Sequence, residues 1–167
     1  VGAGPTGLMA ANQLQRFGID FIIIDGKSGP TLESRAIAVT SRSLEIYQQM
    51  DLADSVVSNG TRMNSFHVVT EGKQRAVVRI GEIGKGLSDF SYLLAYEQFK
   101  NEKLLYQHLQ QLGGEVKWKT AFEKFSEVDG EIIVEALQDN QLIRIQCQYL
   151  VGCDGARSPV RHQLNIP

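Results

Sequence analysis

Val1-Gly2-Ala3-Gly4-Pro5-Thr6-Gly7 opens the chain, and its reading decides the fold. The glycines stand in a Gly-x-Gly-x-x-Gly spacing. Leu8, Ala11, Leu14 and Phe17 then recur every three residues and Gly18 follows, the pattern of a helix with a glycine stop. Ile19 to Ile24 predicts a buried parallel strand, ended by Asp25-Gly26. Each glycine has a mechanical reason. Gly2 permits the tight strand-to-helix turn, Gly4 lets the backbone approach a pyrophosphate, and Gly7 lets helix and strand pack closely. The helix N-terminus adds free N–H groups and a favourable dipole. Asp25 follows Gly7 by 18 residues, where a carboxylate can accept hydrogen bonds from a ribose. The glycine spacing alone is a weak signal, and a glycine-rich turn of no function is the alternative. With helix, strand and acid at the right distances, Gly2, Gly4, Pro5, Thr6, Gly7 and Asp25 predict a dinucleotide site. Only Val1 represents the strand that should precede such a turn, so the sequence is read as starting inside that strand.

Beyond this unit, Leu44, Tyr47 and Met50 recur at threes and predict a helix from about 42 to 50, with Thr40 and Ser41 as candidate caps. Arg35 in Ser34-Arg35-Ala36 is read either as a surface residue or as a cofactor contact. From 63 to 83 the apolar positions alternate around Glu71-Gly72-Lys73, and a two-stranded hairpin fits. Tyr96 to Leu112 predicts a helix ended by Gly113-Gly114. A short strand at 116–118 and three runs, 122–128, 131–137 and 141–148, follow. Asp129-Gly130 and Asp139-Asn140 are the turn signals between those runs, which predicts an antiparallel meander.

Tyr149 to Cys153 predicts a second buried strand, running into Asp154-Gly155-Ala156-Arg157-Ser158-Pro159. Ser158 is a good N-cap and Pro159 suits the first helical position. An acid and a glycine thus stand again at a strand's carboxyl end, where open α/β sheets bind ligands. A simple turn is the bland reading of Asp154-Gly155.

Composition removes several function classes. The 167 residues carry 17 basic and 19 acidic side chains, a formal charge of -2, which points to neither nucleic acid nor an anionic membrane. The scattered Lys and Arg outside the motifs are expected on a solvated face. Cys147 and Cys153 are too few for a disulfide scaffold and are expected as buried reduced thiols. His67, His108 and His162 form no ligand cluster, so no metal site is expected. No run is long and apolar enough for a membrane span. A cytoplasmic location is the expectation.

These residues resemble a known family, the class A flavoprotein monooxygenases of the para-hydroxybenzoate hydroxylase type. Gly2, Gly4 and Gly7 with Asp25 resemble its FAD fingerprint, which more often has Glu at the acidic position. Ser34-Arg35-Ala36 is similar to its short arginine motif, where the arginine contacts the cofactor. Gln98 is similar to its glutamine at the start of the returning helix, near FAD. Gly152-Cys153-Asp154-Gly155-Ala156-Arg157-Ser158 resembles its second signature, in which the Asp binds FAD ribose. That signature sets the family apart from plain NAD-dependent dehydrogenases.

The resemblance implies an α/β fold: a Rossmann-like FAD-binding domain with a parallel sheet and an antiparallel β-meander crossover, plus the start of a β-rich substrate domain. Residues 1–62 and 95–167 would be the two parts of the FAD-binding domain, and 63–94 the start of the inserted substrate-domain hairpin. FAD is the implied cofactor and NADH or NADPH the co-substrate. O2 and a small aromatic, phenol-like substrate complete the reaction, which proceeds through a hydroperoxide of the reduced flavin. Cofactor-binding roles are implied for Gly2, Gly4, Pro5, Thr6, Gly7, Asp25, Arg35, Gln98, Asp154 and Gly155, and a homodimer is a further option. No catalytic residue is assigned, because the cofactor carries the hard chemistry. The family's third signature, Gly-Asp with small residues and a His, does not occur up to Pro167. The chain is therefore read as roughly the first half of such an enzyme. A flavin-dependent reductase or halogenase of the same fold, an NAD-dependent dehydrogenase and a non-catalytic dinucleotide-binding module are the competing readings.

Overall fold

Residues 1–33, 36–82 and 84–167 are described by a computed structural model. The chain starts with α1 (Pro5–Arg16), β1 (Ile23–Ile24), β2 (Ala36–Val39), α2 (Ser41–Gln48) and α3 (Ala53–Asn59). Next come β3 (Thr61–Met63), β4 (Ser65–Thr70), β5 (Lys73–Arg79), β6 (Leu93–Glu97) and α4 (Gln98–Gln111). It closes with β7 (Val116–Lys117), β8 (Thr120–Val128), β9 (Glu131–Gln138), β10 (Gln141–Cys147) and α5 (Pro159–Gln163). Two compact units result, one formed by Val1–Leu32 with Glu102–Pro167 and the other by Glu33–Asn101.

In the first unit β1 pairs in parallel with β7, Ile23 opposite Val116. The meander forms as its turns predict. Asp129 and Gly130 take φ of 53° and 81°, and Asp139 and Asn140 take 49° and 63°. Positive φ at both central residues matches the right-handed twist of the flanking strands. β9 lies between β8 and β10, antiparallel to both. Ile24, Val134 and Ala136 form a buried cluster against which Phe122, Phe125, Ile132 and Ile145 pack.

Helices α1 and α4 are tied by a polar contact that apolar periodicity does not reveal. Asn12 is fully buried and donates to the carbonyls of Leu8 (2.8 Å) and Leu105 (2.9 Å). His108 meets the Asn12 amide oxygen at 2.6 Å. Buried amides need such partners, since an unmade hydrogen bond costs about 1–3 kcal/mol. Gly113 takes φ of 83°, and the Gly114 amide closes α4 on the Leu109 carbonyl at 2.9 Å.

Two expected strands are shorter or absent as ladders. Of Ile19 to Ile24 only Ile23 and Ile24 pair, and Ile19 and Ile22 are about half exposed. Tyr149 to Cys153 forms no ladder among the described residues, and Tyr149 and Val151 are exposed. Both stretches bond to the chain's first residues, Gly2 N–H to Ile24 O (2.9 Å) and Cys153 N–H to Val1 O (2.7 Å). Between them runs an apolar groove of about 790 Å³, which Ile22, Leu14, Tyr149 and Val151 help to line.

In the second unit β6 lies between β2 and β3, antiparallel to both. Tyr96 and Glu97, expected in the following helix, belong to β6 instead. Alternating burial explains this, with Leu94 and Tyr96 inside and Leu93, Ala95 and Glu97 half-buried. Thr40 caps α2 by accepting from the Ser43 amide. β4 and β5 form the expected hairpin around Glu71-Gly72, with a bulge at Val68/Val69.

Candidate dinucleotide site

The phosphate turn is built by three glycines with three different constraints. Gly2 has φ of +94°, and a side chain there would run into the Cys153 carbonyl and the Asp154 backbone. A side chain at Gly7 would meet the Gly2 carbonyl. Gly4 differs: its φ is -79°, and a Cβ built on it meets nothing within 4 Å. Among the described residues no atom therefore requires glycine at Gly4. Gly4 caps α1 without a side-chain hydrogen bond, Pro5 occupies the first helical turn, and that turn holds no acidic residue. The early amides of α1 have no intrahelical acceptor.

Asp25 ties the turn to the loop that follows β1. One carboxylate oxygen accepts from the Ala3 amide at 2.7 Å and the other from the Lys27 amide at 2.8 Å. A carboxylate has about four lone-pair sites, so acceptor capacity is left for further donors. Lys27 is exposed, as expected of a scattered lysine, and also carries polar contacts. Its ammonium lies 3.8 Å from Asp25, 3.6 Å from Glu102 and 5.9 Å from the Trp118 ring centre. Glu102 is 1% exposed and accepts from the Thr31 amide at 2.8 Å. Glu102 and Lys27 were not expected at the site. The only sequence signals were a lysine two residues after the ribose acid and an acid on the inner side of α4.

Asp154 sits beside the turn, because its backbone is what a Gly2 side chain would strike. One carboxylate oxygen accepts from the Val160 amide at 3.1 Å, so Asp154 helps Ser158 cap α5. The other oxygen is buried and has no hydrogen-bond partner among the described residues. Gly155 takes φ of +84°. Cys147 and Cys153 are free and half-buried, and burial pushes the Cys147 thiol up.

The first unit thus brings together Gly2, Gly4, Pro5, Thr6, Gly7, Asp25, Asp154 and Gly155. Gln98 opens α4 in the second unit, and Arg35 lies outside the described residues. The residues of the first unit fit a dinucleotide on two observations. The Gly4 position opens into free space at a helix N-terminus, and a buried Asp154 oxygen has an unused acceptor. Among the described residues no group of three or more His, Cys, Asp or Glu could hold a metal, and no helix is long and apolar enough to cross a membrane.

Comparison with known proteins gives one consistent result. The FAD binding domain family matches residues 1–167. A 6-methylpretetramide 4-monooxygenase of Streptomyces rimosus is 32% identical over 99% of this chain and 29% of its own length. A rifampicin monooxygenase of Streptomyces venezuelae is 32% identical over 99% of this chain and 33% of its own. The solved structure of OxyS anhydrotetracycline hydroxylase from Streptomyces rimosus superposes with a TM-score of 0.83 at 26% identity. That match covers 98% of this chain and 32% of OxyS. The chain spans about a third of the length of these relatives, less than the half its motifs suggested.

Proposed function

The chain belongs to the FAD binding domain family, and from that premise we propose that it is the cofactor-binding part of an NAD(P)H-dependent flavoprotein monooxygenase that hydroxylates an aromatic, phenol-like substrate. The open Gly4 position at the N-terminus of α1 carries the reading. Among the described residues nothing lies within 4 Å of a Cβ at Gly4, and its place at the N-terminus of α1 suits the close approach of a phosphate. The similarity to aromatic monooxygenases in sequence supports the reaction class.

Each residue then has a defined task. Gly4 and the first amides of α1 receive the pyrophosphate, where an anion is favoured by the helix dipole. Asp25 accepts from the adenosine ribose while holding Ala3 and Lys27 in place. The free oxygen of Asp154 accepts a hydroxyl of the cofactor. Arg35 and Gln98 are assigned to the same cofactor by motif. When bound, FAD supplies the redox chemistry, taking electrons from NADH or NADPH and delivering one oxygen atom of O2 to the ring. The protein's part is to bind, orient and exclude water, so no triad of catalytic side chains is needed. The 63–94 stretch is assigned to the start of a substrate domain, and 1–62 with 95–167 to the FAD-binding domain.

The test uses the natural full-length protein. Its visible absorbance is recorded, and the cofactor is identified after denaturation. A released FAD, with bleaching by NADH or NADPH that quickens on adding a phenol, is the expected result. A colourless protein that cannot be reconstituted with FAD would overturn the proposal.

A further inference from the structure

Glu102 is a buried carboxylate in α4, and burying a charge is costly unless it is paired and hydrogen-bonded. Two of its contacts tie it to the loop after β1. It accepts from the Thr31 amide at 2.8 Å and stands 3.6 Å from the Lys27 ammonium. That same ammonium reaches Thr31 Oγ1 at 3.3 Å and Asp25 at 3.8 Å. The Lys27 amide in turn donates to Asp25, whose other oxygen takes the Ala3 amide of the phosphate turn. A continuous chain of polar contacts therefore runs from α4 to the turn, with Glu102 anchoring both ends of the 27–31 loop.

We propose that Glu102 is a positioning residue for the adenosine end of the cofactor, acting through Lys27 and the Thr31 amide on Asp25; the proposal rests on the FAD reading above. Lys27 lies between two carboxylates. With Glu102 present its charge is shared, and Asp25 keeps its oxygens on the two backbone amides. Without Glu102 the ammonium loses one of its two carboxylates and the loop loses its anchor at Thr31, so the Lys27 amide no longer holds Asp25 firmly against the turn. The consequence falls on the adenosine half of the ligand, where Asp25 acts.

The test titrates the full-length apoprotein with FAD and, as a probe of the adenosine half alone, with ADP in competition. Glu102→Ala is expected to weaken both by the same factor, about tenfold. Glu102→Gln still accepts from Thr31 and is expected to recover part of the loss, to about threefold. Lys27→Met is expected to weaken both ligands too, and less than additively with Glu102→Gln, because the two act in one chain. If the alanine variant does not fold, Glu102→Gln and Lys27→Met carry the test. FAD and ADP constants within twofold of wild type in the folded variants would overturn the proposal, even with a lowered melting temperature. So would a loss for FAD without one for ADP. A wild-type protein that takes up no FAD overturns the cofactor reading itself and this proposal with it.

Discussion

Single residues of the phosphate turn separate folding from binding. Gly2 needs its left-handed φ and has the Cys153 carbonyl against it, so Gly2→Ala pays in stability. The expected loss is about 1–3 kcal/mol, read from the shift of a urea transition. Gly4 has an ordinary φ and open space, so Gly4→Val is expected to melt near wild-type protein stripped of FAD. It should purify without FAD, because the side chain occupies the phosphate's place; a yellow Gly4→Val protein would count against the site. Tyr47 sets a different expectation. Its phenol is buried, donates to the Asn101 side chain, and is pushed up to about 12 by that burial. A folded value above the unfolded one means that the neutral phenol favours the fold. That stabilisation is complete below about pH 10 and is lost as pH rises toward 12. Tyr47→Phe should flatten this alkaline loss, which is on the order of 2 kcal/mol in wild type, as followed by denaturant titration at several pH values. It should also cost about 1 kcal/mol at neutral pH, because Asn101 loses its donor. Legibility at this scale was uneven. Gly2, Gly4, Gly7 and Asp25 could be read from spacing, since backbone geometry imposes those residue types in order. Lys27, Glu102 and Asn12 could not, since each meets partners far away in sequence.

Elements followed the sequence wherever local chemistry decides them. The meander turned at Asp129-Gly130 and Asp139-Asn140 as predicted, because few residues other than Gly, Asn and Asp accept two consecutive positive φ values. The second of these turns lacks the glycine of the first, and Asn140 sits at φ of 63°. Asn140→Gly should therefore stabilise the chain by roughly 0.5–1 kcal/mol, the left-handed cost of a Cβ less the extra unfolded-state freedom of glycine, measured as a higher urea midpoint with unchanged slope. A lower midpoint would show that the asparagine side chain contributes more than its backbone costs. Ser158 and Pro159 likewise started α5 where predicted. The boundary between β6 and α4 was misplaced because Tyr96 satisfies either period, and pairing with β2 and β3 decides for the strand. The runs Ile19–Ile22 and Tyr149–Val151 were apolar enough for strands but form no ladder among the described residues.

For the whole molecule, the site's main consequence is linkage between cofactor and stability. A ligand bound only by the folded state stabilises it by mass action, about 2.7 kcal/mol at a hundredfold excess over its dissociation constant. The full-length protein stripped of FAD should melt lower and regain its transition on adding FAD, but not on adding FMN, which lacks the adenosine that Asp25 is assigned to hold. Equal rescue by FMN would remove Asp25 from the site. What the sequence determined alone was the local grammar: the glycine spacing, the acid after the strand, the caps and the meander turns. These depend on steric limits of one or two residues and on the repeat of helix and strand, so they are written in order along the chain. Only the tertiary structure decided that Gly4 faces open space, that one oxygen of Asp154 is buried and unused, and that Glu102 reaches Lys27 and Thr31. Each of these depends on groups brought together from distant positions, where burial and hydrogen-bond pairing are settled by packing and leave no periodic trace in the sequence.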